Sequence, residues 1–428
     1  MVNNMKTIFA WLISLMLLGS GLAYAAGDYT NSAHGNSTSG VERTDYPTAS
    51  EPYAKGNCAH CHEQHASVGG SEPTPTGGPD EYLLFQDYKD DSYNSFCTDK
   101  CHRAVGSWGG DDIASQYSKA STHPTTGTHT PGESIPSDFG TRHGYCIDCH
   151  NPHVAKKIDR TVGSNLVSGG PLLKVSGVSV ENSTAWNNPS YTFIPAGTGI
   201  EKEYELCFKC HSSWPSPYPP TGADNAKQFN PANKSYHPVE DAMNVAGTGS
   251  AGLLFNWQVK AEWYTAAGTG KTMYCSDCHG SETSGDPVGP HGSTKGTILK
   301  GDWPINSVDS QLWDLTDIGT ADFNNNCLCA KCHNFTGGNQ NRYHSYSYHL
   351  SDSGNNKLAE CVDCHTVSVH GYNTHQRFIA DSADGDTDYN YLGTTAKVTA
   401  FTKRVDGNYQ ESNCDTVAAC QVAFVHRP

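Results

Sequence analysis

Residues 146–153 read CIDCHNPH: two cysteines separated by two residues, a histidine directly after the second, and another histidine three residues on. The Cys-x-x-Cys-His word returns at Cys58 (CAHCH), Cys207 (CFKCH), Cys275 (CSDCH), Cys329 (CAKCH) and Cys361 (CVDCH). It is the signature of covalent haem c attachment. Two thiols at this spacing can add to the two vinyl groups of one haem, and the adjacent histidine is then held beneath the iron. Zinc clips also use Cys-x-x-Cys pairs, but zinc needs no histidine after each second cysteine. With 21 histidines in 428 residues, finding six of six at that place by chance is on the order of one in 10⁸.

A seventh segment, FCTDKCHRAV at 96–105, carries one residue too many between Cys97 and Cys101. A small bulge in the turn would absorb it. Counting it divides the 88-residue gap between Cys58 and Cys146 into 39 and 49, in keeping with the other intervals. In CLCAKCH, Cys329 gives the standard spacing and Cys327 is left over. The attachment cysteines are thus Cys58, Cys61, Cys97, Cys101, Cys146, Cys149, Cys207, Cys210, Cys275, Cys278, Cys329, Cys332, Cys361 and Cys364. The proximal iron ligands are His62, His102, His150, His211, His279, His333 and His365, for seven covalently attached haem c groups. Cys414 and Cys420 could close a small disulfide loop.

Fourteen histidines remain for seven distal positions. An iron between two histidines is closed and suits electron transfer, whereas a catalytic haem keeps one position open. His65 and His153 each lie three residues past a proximal histidine, a short link that could offer them to an adjacent haem. His123, His237, His291, His349 and His370 sit in turn-rich stretches between attachment sites, beside Gly or Pro in most cases. His34, on a polar arm, and His143 are further distal candidates. His60, His129, His344, His375 and His426 read as surface residues.

The first 25 residues hold a lysine, an apolar run and Ala23-Tyr24-Ala25, the pattern of a cleaved secretory signal. The apolar run falls short of the roughly 20 residues that span a bilayer, and no other stretch offers a membrane span for the mature chain. The protein is therefore expected outside the cell or in the periplasm. Net charge is −16, which argues against a nucleic-acid partner. After the signal come a polar arm (26–56), a haem-bearing body (57–376) and a haem-free tail (377–428).

Only 36% of residues are hydrophobic, so haem macrocycles with Tyr and Trp around them are expected to supply the interior. The expected fold is a mostly irregular multihaem cytochrome c fold with a haem-packed core, short helices at the attachment motifs and small β-elements. FNWQVKAEW (255–263) alternates as a half-buried strand does. The tail offers KVTAFTKRV and CQVAFVH for a small β-element. DSADGDTDYN (381–390) crowds four aspartates that could hold Ca²⁺, although Tyr389 stands where a calcium loop wants glycine.

NSAHGN, GNCAHCHEQHASVGG, CIDCHNPH, and CSDCHG followed by GPHG resemble outer-surface multihaem c-type cytochromes of metal-reducing bacteria. The resemblance covers roughly residues 29–370 and includes the OmcS-like kind, some of which polymerise head to tail into filaments with a continuous haem chain. It implies electron transfer from redox proteins of the cell envelope to extracellular acceptors such as metal oxides, electrodes or other cells. It also implies that a distal ligand can come from a neighbouring copy, and His34 is the residue expected to do so. Seven haems and a Cys-x₃-Cys-His site depart from the hexahaem filament pattern, so polymerisation does not simply carry over. Two other readings stay open: a monomeric periplasmic electron carrier, and a reductase of nitrogen or sulfur oxyanions with one vacant iron position.

Overall fold

The computed structural model describes residues 26–42, 53–62, 83–84, 95–99, 101–104, 110–124, 134–139, 143–157, 160–167, 170–215, 224–242, 259–265, 270–314, 317–335, 361–363, 365–366, 368–373 and 378. Frequent Gly and Pro (43 and 22 residues) interrupt any long helical pattern. The α-helices described are correspondingly short: α1 (Ala26–Thr30), α2 (Ser95–Thr98), α3 (Cys146–Cys149), α4 (Glu203–Cys207), α5 (Asn225–Phe229), α6 (Cys275–Cys278) and α7 (Ala321–Asn326). Helices of one turn have no stability of their own and depend on caps and packing. The Thr320 hydroxyl accepts from Phe323 N at 3.1 Å to start α7, and the Asp224 carboxylate accepts from Lys227 N at 3.2 Å to start α5. In α3 and α6 the third residue is an aspartate. Asp148 and Asp277 reach back to the N–H groups of Tyr145 and Tyr274, each at 2.8 Å.

Three antiparallel two-stranded pairings are described. β1 (Ser121–Thr122) pairs with β5 (Gly292–Ser293), and β4 (Ser235–Tyr236) with β6 (Gly371–Tyr372). β2 (Gly177–Glu181) and β3 (Ser190–Ile194) form a local hairpin in which Gly177 faces Ile194. The two short ladders join segments more than a hundred residues apart, and each is flanked by histidines: His123 and His237 follow β1 and β4, while His291 and His370 precede β5 and β6.

Apolar packing is split into small clusters. Val178, Tyr204, Phe208, Phe229, Val239 and Met273 form one under the β2–β3 hairpin, and Val167, Val175, Ile200 and Leu206 form another. A third gathers Phe323, Cys327 and Ala330 around Trp313, which is fully buried and donates its indole N–H to Asp302 O at 3.2 Å. Trp313→Ala is expected to cost about 3–5 kcal/mol, as truncation of buried aromatics does, measured by chemical denaturation.

The strand expected over 255–263 is not what forms. Residues 255–258 lie outside the described set, Val259 makes a single bridge to His333, and Ala261–Trp263 is a 3₁₀ turn closed by Trp263 N to Lys260 O at 3.0 Å. Among the described residues no partner strand lies alongside 259–263 beyond that bridge, and the local turn bond stands in place of a ladder. The signal segment, the tail strands, Cys414 and Cys420, and the aspartate-rich 381–390 stretch lie outside the described residues. Among the described residues no helix is long and apolar enough to cross a membrane.

Candidate functional site

All seven attachment segments make the same turn. The N–H of His62, His150, His211, His279, His333 and His365 donates to the carbonyl of the first motif cysteine, four residues back, at 2.8–3.0 Å. His102 N does the same to Cys97 O at 2.9 Å, but across five residues. The extra residue in CTDKCH is thus taken up as a wider turn, and the histidine keeps its place relative to the first cysteine. In CLCAKCH the matching acceptor is Cys329 O, while Cys327 is fully buried against Trp313 and Phe323.

Each of six motif histidines faces one histidine from elsewhere in the chain. The pairs are His62 with His153, His102 with His34, His150 with His291 and His211 with His123, each with ring centroids 6.1 Å apart. His279 faces His370 at 6.0 Å, and His333 faces His237 at 6.3 Å. Two imidazoles on opposite sides of one metal ion, at about 2.0 Å per bond and about 1.1 Å from nitrogen to ring centre, have centroids about 6.2 Å apart. The spacing therefore leaves room for one ion between each pair of rings. Interplanar angles differ: 7° and 25° for the His62 and His150 pairs, 49° for His279, and 62–71° for the other three.

A histidine that ligates through one nitrogen needs the other occupied, because that second bond fixes the tautomer. His34 Nδ1 donates to Pro152 O at 2.9 Å, His123 Nδ1 to Pro290 O at 2.7 Å, and His237 Nδ1 to Val369 O. On the motif side His102, His150 and His279 donate to Asp111 O, Pro171 O and Thr297 O at 3.3, 3.1 and 2.9 Å. Such bonds leave Nε2 as the free donor atom. The first three share a design: each accepting carbonyl belongs to the residue directly before another facing histidine, His153, His291 or His370. Each such couple serves two successive attachment sites. His153 and His34 face the first and second, His291 and His123 the third and fourth, and His370 and His237 the fifth and sixth. Three units of one plan therefore follow one another along the chain.

Burial holds His123, His150, His237 and His279 below the ordinary histidine value. It pushes His291 and His370 down to about 3, with the charges of neighbouring histidines adding to the effect. The neutral imidazole so favoured is the form that binds metal. An unfolded chain takes up these protons near pH 6.5, so below that value it binds more protons than the folded chain. Stability is present above about pH 6.5 and falls as pH drops toward about 3. The thermal midpoint at pH 4.5 should accordingly lie below that at pH 7.5.

Cysteines of successive sites also meet. The thiols of Cys97 and Cys146 share a hydrogen bond, as do those of Cys207 and Cys275. Cys149 senses Cys207 and Cys210, Cys278 senses Cys332, and Cys329 senses Cys361. Glu203 on α4 clamps the fourth site to the fifth, accepting from Ser276 N and Oγ of α6 at 2.8 and 2.7 Å, with Arg160 3.8 Å away. Burial raises the Glu203 pKa and Arg160 opposes the rise. Glu203, Cys207 and Cys275 bring ligand atoms within 4.8 Å of one another, but thioether bonds at the two cysteines would leave Glu203 to Ser276 and Arg160.

His34 and His143 are placed by local contacts, and for His60 an expectation needs correction. His34 faces His102 of its own chain, and Ala33 N to Ala155 O at 2.8 Å docks the N-terminal arm beside it. His143 stacks on Tyr145 at 5.5 Å with Nε2 3.8 Å from the Asp148 carboxylate of its own attachment segment. His60 is not a surface residue. It is 2% exposed, packs near Tyr53 and bonds Ala54 O through Nε2 at 3.1 Å. His65, His349 and Cys364 lie outside the described residues, as do His129, His344, His375 and His426.

The carbonyls of Pro152, Pro290 and Val369 were missed in the sequence reading. For Pro290 and Val369 the signal was the recurring words THP and YHP against PHG and VHG, whereas the first unit, with AHG and PHV, does not repeat them. No protein-family model, curated protein or solved structure matches the chain.

Proposed function

We propose that the chain is a secreted c-type cytochrome carrying seven covalent haems, with six of the irons held between two histidines of the same chain. It would carry electrons between the cell envelope and extracellular acceptors. The observation that carries the reading is the set of six histidine pairs at 6.0–6.3 Å, each joining one Cys-Cys-His segment to a histidine from a distant loop. The donor set fits haem c: two thiols and a histidine on one side, and a second neutral imidazole opposite.

Haem bound there would supply one-electron chemistry, and the chain's own residues would set its surroundings. Paired imidazoles close the irons to substrate, which favours transfer over bond-making. Cysteines of successive sites influence one another from the second site to the seventh, so haems held there would follow one another in chain order. The first site would join through the bond from His34 to Pro152, next to His153. Head-to-tail association with further copies, implied by the resemblance, would extend this path beyond one subunit.

Stopped-flow reoxidation of the reduced protein tests the reading. Ferric oxide particles should reoxidise all the haems, and nitrite should give no catalytic turnover. Sustained nitrite reduction would favour the oxyanion reductase instead.

A further inference from the structure

The third unit contains a side-chain partner for its facing histidine: His370 Nδ1 donates to Gln228 Oε1 at 3.0 Å. Gln228 lies on α5, and its backbone carbonyl passes so close to Gly371, the residue after His370, that a Cβ there would collide with it. The second unit repeats this arrangement. The 3₁₀ turn Gln116–Ser118 stands where α5 stands, and a Cβ on Gly292, the residue after His291, would collide with the carbonyl of Gln116. The same residue type thus passes behind the facing histidine in both units.

The difference between them is a bond left open on both sides. Gln116 is 3% exposed, and its Nε2 is fixed by Asp286 Oδ2 at 3.1 Å and Ser115 Oγ at 3.3 Å. Its Oε1 is buried with no partner, and so is His291 Nδ1. Only two other buried side-chain polar atoms among the described residues lack one: on Arg160, in the Glu203 clamp, and on Glu240, which takes Asn182 through its other oxygen. One orphan here is an acceptor and the other can be a donor.

We infer that Gln116 Oε1 accepts the Nδ1–H of His291 in the haem-loaded protein, as Gln228 does for His370, and is a positioning residue for the iron between His150 and His291. This rests on the haem reading above. The bond would fix the His291 tautomer with Nε2 toward the iron and make the imidazole a stronger ligand. A stronger imidazole donor stabilises the ferric form, so the reduction potential of that haem falls. The exchange itself remains one electron between neighbouring irons, with no proton or bond transferred.

Potentiometric titration followed by electron paramagnetic resonance tests this. Nearly parallel ligand planes, at 7° and 25°, should give ferric signals separable from those of the four steeper pairs. Gln116→Met should favour reduction of one near-parallel haem about tenfold, a rise of about 59 mV for a one-electron couple. Gln116→Glu should shift the same signal the opposite way, and Gln228→Met should raise a steep-angle haem. An unchanged near-parallel class in Gln116→Met, with Gln228→Met shifted, would overturn the inference.

A measurement that leaves Gln116 intact guards against misfolding. In Gln228→Met protein labelled with ¹³C at the glutamine side-chain carbonyl, the reduced-minus-oxidised infrared difference should retain one shifting carbonyl band. No such band would also overturn it. Absence of covalent haem would instead defeat the functional reading itself.

Discussion

Replacing Cys97 and Cys101 together with serine is expected to lower the haem content from seven to six and to slow electron passage through the protein by orders of magnitude. The attachment turn at this segment already places His102 N on Cys97 O, and His34 stands 6.1 Å across from His102. What the double variant removes is the covalent hold, and with it the second site in the chain. Cys97 also touches Cys146, the first cysteine of the third site. Loss of a haem here would remove the link that Cys97 makes to the third site. The pyridine haemochrome absorbance per chain gives the count, and the rate of reoxidation of the reduced protein gives the path. An unchanged count would mean that the six-residue word binds nothing.

His370→Gly should have the second largest effect. It takes away the ring facing His279 at 6.0 Å and leaves one of seven centres with an open position. That centre should turn high-spin and bind carbon monoxide, and added imidazole should restore the low-spin spectrum. The other five paired sites should be unaffected, because each pairs its motif histidine with a residue other than His370. A fully low-spin variant would show that a different residue faces His279. The comparison with Gln228→Met is informative, since that change leaves the His370 ligand in place and removes only its Nδ1 acceptor.

Much of this site is legible in the sequence because covalent chemistry imposes fixed spacing. Haem c, as proposed, would demand two cysteines and a histidine within five or six residues, and no folding is needed to see that spacing. Distal histidines obey no such rule. His123, His237, His291 and His370 could be ranked by their turn-rich surroundings and His153 by its short link to His150, but their partners are set by contacts across long stretches of chain. The pairing of β1 with β5 brings His123 to the carbonyl of Pro290, 167 residues away. That relation has no local signature.

The three-unit plan was also hidden, although its words recur in two of the units, because each unit draws its two facing histidines from separate loops. His143, beside glycine near an attachment motif, reads like the ligands, and the structure sets it next to Asp148 and Tyr145. The alternation at 255–263 misled because a period-two pattern marks a strand only where a partner strand exists. Here Trp263 packs beside the cluster of Val178 and Phe208 from a 3₁₀ turn.

The central claim is tested most directly by the mass of the protein after denaturation and thiol reduction. The account predicts the chain mass plus seven haems, with none lost to acidic organic solvent. Unmodified thiols at these cysteines, with zinc released by acid, would contradict it.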